Sequence, residues 1–167
     1  IDPQRDVDIY IEEAKVAGLK IKFYLETHLH ADFVSGSREL ANTAGATIVA
    51  SALANLQYAH LPLREGDQIE IGEIIIEVIE TPGHSPEHIS FLAREQDKKE
   101  SQSLFSGGAL IPGGIARTDL LGHEHAVPLA RKAYHSLRDK IMKLSDDVQV
   151  YPTHGGGPAW ILDASPR

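Results

Sequence analysis

The run Thr27-His28-Leu29-His30-Ala31-Asp32-Phe33 (THLHADF) decides how the rest of the chain is read. It follows Lys20–Glu26 (KIKFYLE), a short β-rich run, so the pattern predicts a strand that opens into a histidine-bearing loop. In extended backbone, residues i and i+2 project to the same side, so the imidazoles of His28 and His30 can reach one ion. Asp32, four residues after His28, is placed to orient a ligand or to bind a second ion. A histidine pair of this kind standing alone is weak evidence, being more often a surface or hydrogen-bonding feature.

Two further stretches repeat the arrangement. Ile79-Glu80-Thr81-Pro82-Gly83-His84 sets a histidine after a strand and a Pro-Gly turn, and Tyr151-Pro152-Thr153-His154-Gly155 does so again. Each puts an imidazole at a strand exit on small residues that let a ligand approach closely. Three strand-end histidine sites outweigh the reading in which these are turns with incidental histidines.

Between them the chain alternates helix and strand patterns. Asp6–Ala17 has helical spacing and Gly18 stops it. Ser35–Ala44 reads as a helix, Thr47–Ala50 as a buried strand, and Gln68–Ile71 with Ile74–Glu80 as a hairpin around Gly72. His88–Ala93 is a strand, REQDKKESQS a solvated turn with Lys98 and Lys99 at its tip, and Leu104–Phe105 begins the next strand. A glycine-rich loop then leads to a long helix, Glu124–Leu144, with Pro128 expected in its first turn. Val148–Tyr151 is the last strand. The interleaving predicts an α/β class with its unusual residues in loops after strands, where function usually sits.

Composition narrows the chemistry. The 167 residues carry 16 Lys+Arg against 24 Asp+Glu, a net charge of −8, with nine histidines and no cysteine. The 42% hydrophobic and 24% charged fractions are those of a globular chain of one domain or a little more. The acidic balance argues against nucleic acid, and no apolar run is long enough to cross a membrane. Nothing at Ile1 reads as a signal peptide, so a cytoplasmic location is expected. Without cysteine there is no disulfide, thiolate metal site or cysteine nucleophile, so metal chemistry here must use imidazole and carboxylate.

THLHAD, TPGHS, the FSGG loop and YPTHGGG, in this order and spacing, resemble the metallo-β-lactamase superfamily. THLHADF with Ser35-Gly36, and the ARTDL run at Ala116–Leu120, are more similar to its persulfide dioxygenase-like, rhodanese-associated branch. The resemblance covers roughly 1–157 and implies an αββα sandwich with the metal at one edge of two sheets. It leaves 158–167 (PAWILDASPR after Gly157) as a tail of unclear origin. It also implies that an N-terminal hairpin of the family is missing before Ile1-Asp2-Pro3, so that one sheet would expose an edge.

Two departures from the family pattern bear on the site. Phe33 stands where the family has a histidine, and Gly108 where it has a bridging aspartate. Of the second-ion ligands only Asp32 and His154 remain, which is too few for a tight site. The first-ion set, His28, His30 and His84, is complete. The resemblance therefore implies one Fe(II) or Zn(II) ion, with Asp32 and His154 as the catalytic candidates. The loss at Gly108 weakens the dioxygenase expectation too, because there the family's iron is held by two histidines and that aspartate.

Arg117 and Asp119 match a family segment near the active site, where an arginine could fork onto a substrate carboxylate; an ordinary loop-stabilising pair is the alternative. His88 is a candidate contact behind the metal ligands, or a partly buried structural histidine. His123 and His125 read as solvent or subunit-contact residues, and His60 and His135 receive no role. Gly155-Gly156-Gly157 reads as a turn beside His154.

Three functions follow as expectations. The first is a mononuclear metalloenzyme acting on glutathione persulfide or a related sulfur compound. The second is a zinc-dependent hydrolase of thioesters or lactones, and the third a degenerate, non-catalytic module beside a rhodanese domain. A small-molecule substrate is expected in the first two, and a rhodanese partner and a homo-oligomer remain open.

Overall fold

The computed structural model describes residues 1–155, apart from the side chains of residues 98–101. The expectations for Gly156, Gly157, the tail at 158–167 and the side chains of Lys98 and Lys99 lie outside the described residues. The chain forms two compact units, one spanning Ile1–Leu63 and the other starting at Arg64.

The first unit is built on parallel pairing. Helix α1 (Asp8–Val16) precedes β1 (Phe23–Leu25), and α2 (Ser37–Ala44) crosses to β2 (Thr47–Ser51). β1 pairs with β2, and β2 with β3 (Leu61–Leu63), both parallel. α1 gives way to Gly18, whose φ of 66° lies in the left-handed region that glycine enters without strain. The expected strand at Lys20–Glu26 shortens to three residues, and the expected helix at Ser35–Ala44 starts two residues later. β3 escapes a pattern reading because Pro62 sits inside it. As an edge strand, β3 tolerates the missing N–H. Val7, Tyr24, Leu40 and Ala46 form the core of this unit, with Tyr10, Ile11 and Ile21 packed against it.

The second unit is a five-stranded sheet in the order β4-β5-β6-β7-β8. β4 (Gln68–Ile71) and β5 (Ile74–Glu80) form the expected hairpin, with Ile69 opposite Ile76 and Glu70 opposite Ile75. β6 (Ile89–Glu95) and β7 (Lys98–Gly107) extend the antiparallel meander, and β8 (Gln149–Pro152) joins β7 in parallel after α3 (His123–Asp139). Ile79, Leu92, Leu104, Ala109 and Ile141 make its core, and Phe91 and Ile89 are fully buried. Each of the Ile, Leu and Phe side chains contributes about 1.5–3 kcal/mol relative to exposure.

Three expectations for this unit change. REQDKKESQS is a strand pair with a tight turn, because a charged composition marks solvent exposure and not loss of backbone pairing: Arg94 pairs with Gln102. The helix expected to Leu144 breaks at Lys140 into a 3-10 turn, Ile141–Lys143, which brings Ile141 into the core. Pro128 lies inside α3 beyond its first turn, at a cost of up to about 3 kcal/mol that the packing of Leu129, Ala133 and Ser136 must offset. Among the described residues no helix is long and apolar enough to cross a membrane.

Candidate metal centre

In the first unit the two motif histidines leave β1 through Glu26 and Thr27, both buried. Glu26 N–H still donates to Val49 O (2.9 Å), so the ladder carries the chain to the edge of the motif. Thr27 then meets Asp2. Its N–H donates to Asp2 Oδ1 at 2.7 Å, and its hydroxyl donates to Asp2 Oδ2 at 2.8 Å. The same Thr27 oxygen lies 2.8 Å from His28 Nδ1. A hydroxyl has one proton, and the carboxylate takes it, so Thr27 Oγ1 must accept from His28 Nδ1–H. The lone pair of the His28 ring is therefore on Nε2.

His30 follows with its ring 4.1 Å from that of His28 and 4.2 Å from Phe33. Its Nε2 faces two buried carboxylates, Asp2 Oδ1 at 3.2 Å and Glu26 Oε2 at 3.6 Å, ion-pair distances rather than tight hydrogen bonds. A carboxylate only accepts, so the nitrogen turned towards it carries its proton, and in the neutral ring the lone pair is on Nδ1. Asp32 Oδ1 stands 3.9 Å from that Nδ1. Glu26 also accepts the hydroxyls of Ser35 and Ser37. Burial alone pushes the His30 imidazole down, but the hydrogen bonds and charges of Asp2 and Glu26 outweigh it and raise the pKa to about 9. That cage favours positive charge at His30, whether a proton or a cation at Nδ1. Ligand atoms of Asp2, Glu26 and His30 also lie within 4.8 Å of one another.

In the second unit β5 ends at Glu80 and the Thr81-Pro82-Gly83 turn delivers His84, which is buried. Gly83 is needed here: a Cβ on it would lie 2.5 Å from Ala133 Cβ on α3. His84 Nδ1 is 2.7 Å from Arg117 O. A carbonyl accepts, so His84 too is protonated at Nδ1 and has its lone pair on Nε2. His154, also buried, brings its ring to 5.2 Å from that of His84, and Thr153 N–H donates to Gly107 O (3.1 Å) beside it.

His88 is almost wholly enclosed. Gly108 N–H donates to its Nε2 at 2.9 Å, which puts the ring proton on Nδ1 and directs it to Thr81 Oγ1, 2.9 Å away. Thr81 Oγ1 in turn lies 2.8 Å from Ser90 Oγ. His88 thus holds the Gly107–Gly108 loop, and its ring centroid is 6.4 Å from that of His84. Gly108, where the family pattern has an aspartate, packs directly on the His84 ring.

Arg117 and Asp119 form a forked pair at 2.7 and 2.8 Å. The guanidinium holds the Asp119 carboxyl below the usual carboxylate range, and the carboxylate raises Arg117. The two side chains are paired with each other, while the Arg117 carbonyl accepts from His84 Nδ1–H. Of the remaining histidines, His125 contacts Glu124 (3.8 Å), His135 contacts Asp139 (2.9 Å) and His60 contacts Tyr58 O (2.9 Å), while His123 opens α3. Sequence reasoning missed Asp2, Glu26 and Thr27. The only signal was their type, two acids and a hydroxyl, next to strand ends.

His28, His30 and His84 each have a partner on one ring nitrogen, which leaves the lone pair on the other. A family model described as "Metallo-beta-lactamase superfamily" matches residues 1–154. The chain is 34% identical to "Persulfide dioxygenase ETHE1, mitochondrial" of Mus musculus, over 84% of this chain and 51% of that protein. It is 29% identical to "Hydroxyacylglutathione hydrolase GloC" of Haemophilus influenzae, over 93% of this chain and 78% of that one. A crystal structure of a metallo-beta-lactamase from Staphylococcus aureus subsp. aureus COL superposes with a TM-score of 0.84 at 36% identity, covering 93% of this chain and 49% of that one. The chain spans about half the length of the first curated relatives it matches.

Proposed function

The chain belongs to the metallo-beta-lactamase superfamily, and from that premise we propose that His28, His30 and His84 hold one ion, Fe(II) or Zn(II), in an enzyme acting on a sulfur-containing small molecule. The substrate class is a glutathione persulfide or a close relative, in keeping with the name of the 34%-identical relative. The observation that carries the reading is the protonation pattern. His28 and His84 each commit Nδ1 to an internal oxygen, at 2.8 and 2.7 Å, which leaves Nε2 as the donor of both rings. Such an ion, when bound, supplies electrophilic activation of substrate and bound water, and with iron the means to use O2.

The residues of the chain supply the rest. Asp2 and Glu26 provide the negative charge that a cation at His30 Nδ1 would need, and Asp32 and His154 are the groups offered for proton transfer. A rhodanese partner and self-association remain compatible with this reading without bearing on the chemistry.

A hydrolase of glutathione thioesters is the second reading. It is favoured by the relative named hydroxyacylglutathione hydrolase, of which this chain covers 78%. The two are separated by assaying Fe(II)-loaded protein for oxygen uptake with glutathione persulfide and Zn(II)-loaded protein against a thioester panel. Oxygen uptake supports the first. Thioester turnover without oxygen uptake replaces it with the second, and a protein that binds neither ion refutes both in favour of a non-catalytic module.

A further inference from the structure

Helix α1 is a thin cover. None of its nine residues is buried, and its inward side is held by Tyr10 and Ile11, which pack on the core of the first unit. On the opposite side Ile9, Glu12, Glu13 and Val16 follow one another at i, i+3, i+4 and i+7, all exposed. That spacing draws them into one stripe along the helix. Val16 is 81% exposed and Ile9 47%, so the stripe has an apolar residue at each end and two carboxylates between them.

Helix α3 carries a counterpart. It buries Leu129, Ala133 and Ser136, and away from them Val127, Arg131, Tyr134 and Arg138 are exposed at i, i+4, i+7 and i+11. Arg138 Nη1 donates to Tyr134 Oη at 2.7 Å, and its guanidinium lies 5.8 Å from the ring centre, which holds the phenol in place. The apolar ends of both stripes are seven residues apart, about 10.5 Å along a helix axis. One stripe carries two negative charges and the other two positive ones. The side chains of Glu12, Glu13 and Arg131 have no hydrogen bond or ion pair among the described residues.

We propose that α3 of one copy of the chain docks antiparallel on α1 of a second copy, with the apolar ends in register and Arg131 against Glu12 and Glu13. The flanking charges select the direction. Antiparallel packing brings Lys15 towards Glu124 and Asp8 towards Arg138, whereas parallel packing brings Lys15 towards Arg138 and Asp8 towards Glu124, like charges in both places. Copies of a chain of net charge −8 repel one another overall, so local complementarity is what singles out this face. One helix pair is small beside the roughly 1,600 Å² of a standard interface, so the association is weak and salt-sensitive.

Sedimentation velocity of the full chain, from low micromolar to submillimolar concentration and at two salt levels, tests this on the wild type, Glu13→Arg, Arg131→Glu and the double exchange. The wild type is expected to rise above its 18.2 kDa monomer mass with concentration, and less so in high salt. Each single reversal should weaken association by about threefold or more, and the double exchange should bind about threefold more tightly than either single variant. A wild type that stays monomeric throughout overturns the proposal. Single variants that associate within about threefold of the wild type overturn it too, as does a double exchange no tighter than the singles. Should a charge variant fail to fold, Val16→Ser and Tyr134→Ala, which trim the apolar ends, decide by the same criterion.

Discussion

Gly108 and His84 are packed so closely that a Cβ on the glycine would lie 2.7 Å from Cδ2 of the imidazole and 3.1 Å from Ala116 Cβ. The position where the family pattern carries an aspartate is therefore part of the wall that holds a proposed ligand. The bare backbone also works: Gly108 N–H donates to His88 Nε2 and its carbonyl accepts Ala116 N–H.

Gly108→Ala is accordingly expected to lower stability by about 1–3 kcal/mol, the range for overpacking a filled interior. Gly108→Asp should cost more and should not restore a second-ion site, because its Cβ already forces the His84 ring to shift. Thermal unfolding and metal stoichiometry of both variants check this. An aspartate variant as stable as the wild type and holding two ions would contradict it.

His88 is predicted to matter for stability more than for turnover chemistry. His88→Ala leaves the Gly108 N–H without its acceptor and opens a cavity beside Thr81. Together these should cost about 3–5 kcal/mol by urea denaturation. His88→Gln, which can still accept from Gly108, should recover part of the loss.

Metal content should be one ion per chain or fewer if, as the resemblance implies, Phe33 and Gly108 stand where ligands of a second ion would be. At a free ion concentration about 100 times the dissociation constant, binding adds roughly 2.7 kcal/mol of stability, which a chelator should abolish as a fall in Tm. Two ions per chain at full occupancy, by elemental analysis, would be the contrary result. His84→Ala should remove both the bound ion and the chelator effect.

The Arg117–Asp119 pair has a signed pH dependence. The Asp119 carboxyl titrates lower when folded than when unfolded, through the Arg117 hydrogen bond first, so the pair stabilises above the unfolded carboxylate range. That contribution is lost as the pH falls through the folded value. The stability difference between wild type and Asp119→Asn should therefore persist at neutral pH and vanish in acid. The pair is only partly buried, so the difference should be small and reduced by salt.

Much of the fold was legible because it depends on near neighbours in the chain. The β4–β5 hairpin follows from alternation about Gly72, and the α1 stop from Gly18. The site was legible as residue types: His28, His30, His84 and His154 all follow strands, as their motifs required. β3 was not, since Pro62 hides an edge strand from any local pattern. The end of α3 was not either, since Ile141 leaves the helix for a core assembled from distant strands.

What the sequence by itself determined was the family and the absence of any thiolate, because motif spacing and composition are properties of the chain alone. Which nitrogen each histidine presents was decided only by tertiary structure. Thr27 meets Asp2 across 25 positions, His84 meets the Arg117 carbonyl across 33, and Gly108 meets His88 across 20. A proton on an imidazole goes to whichever nitrogen faces an acceptor, and those acceptors are brought up by folding.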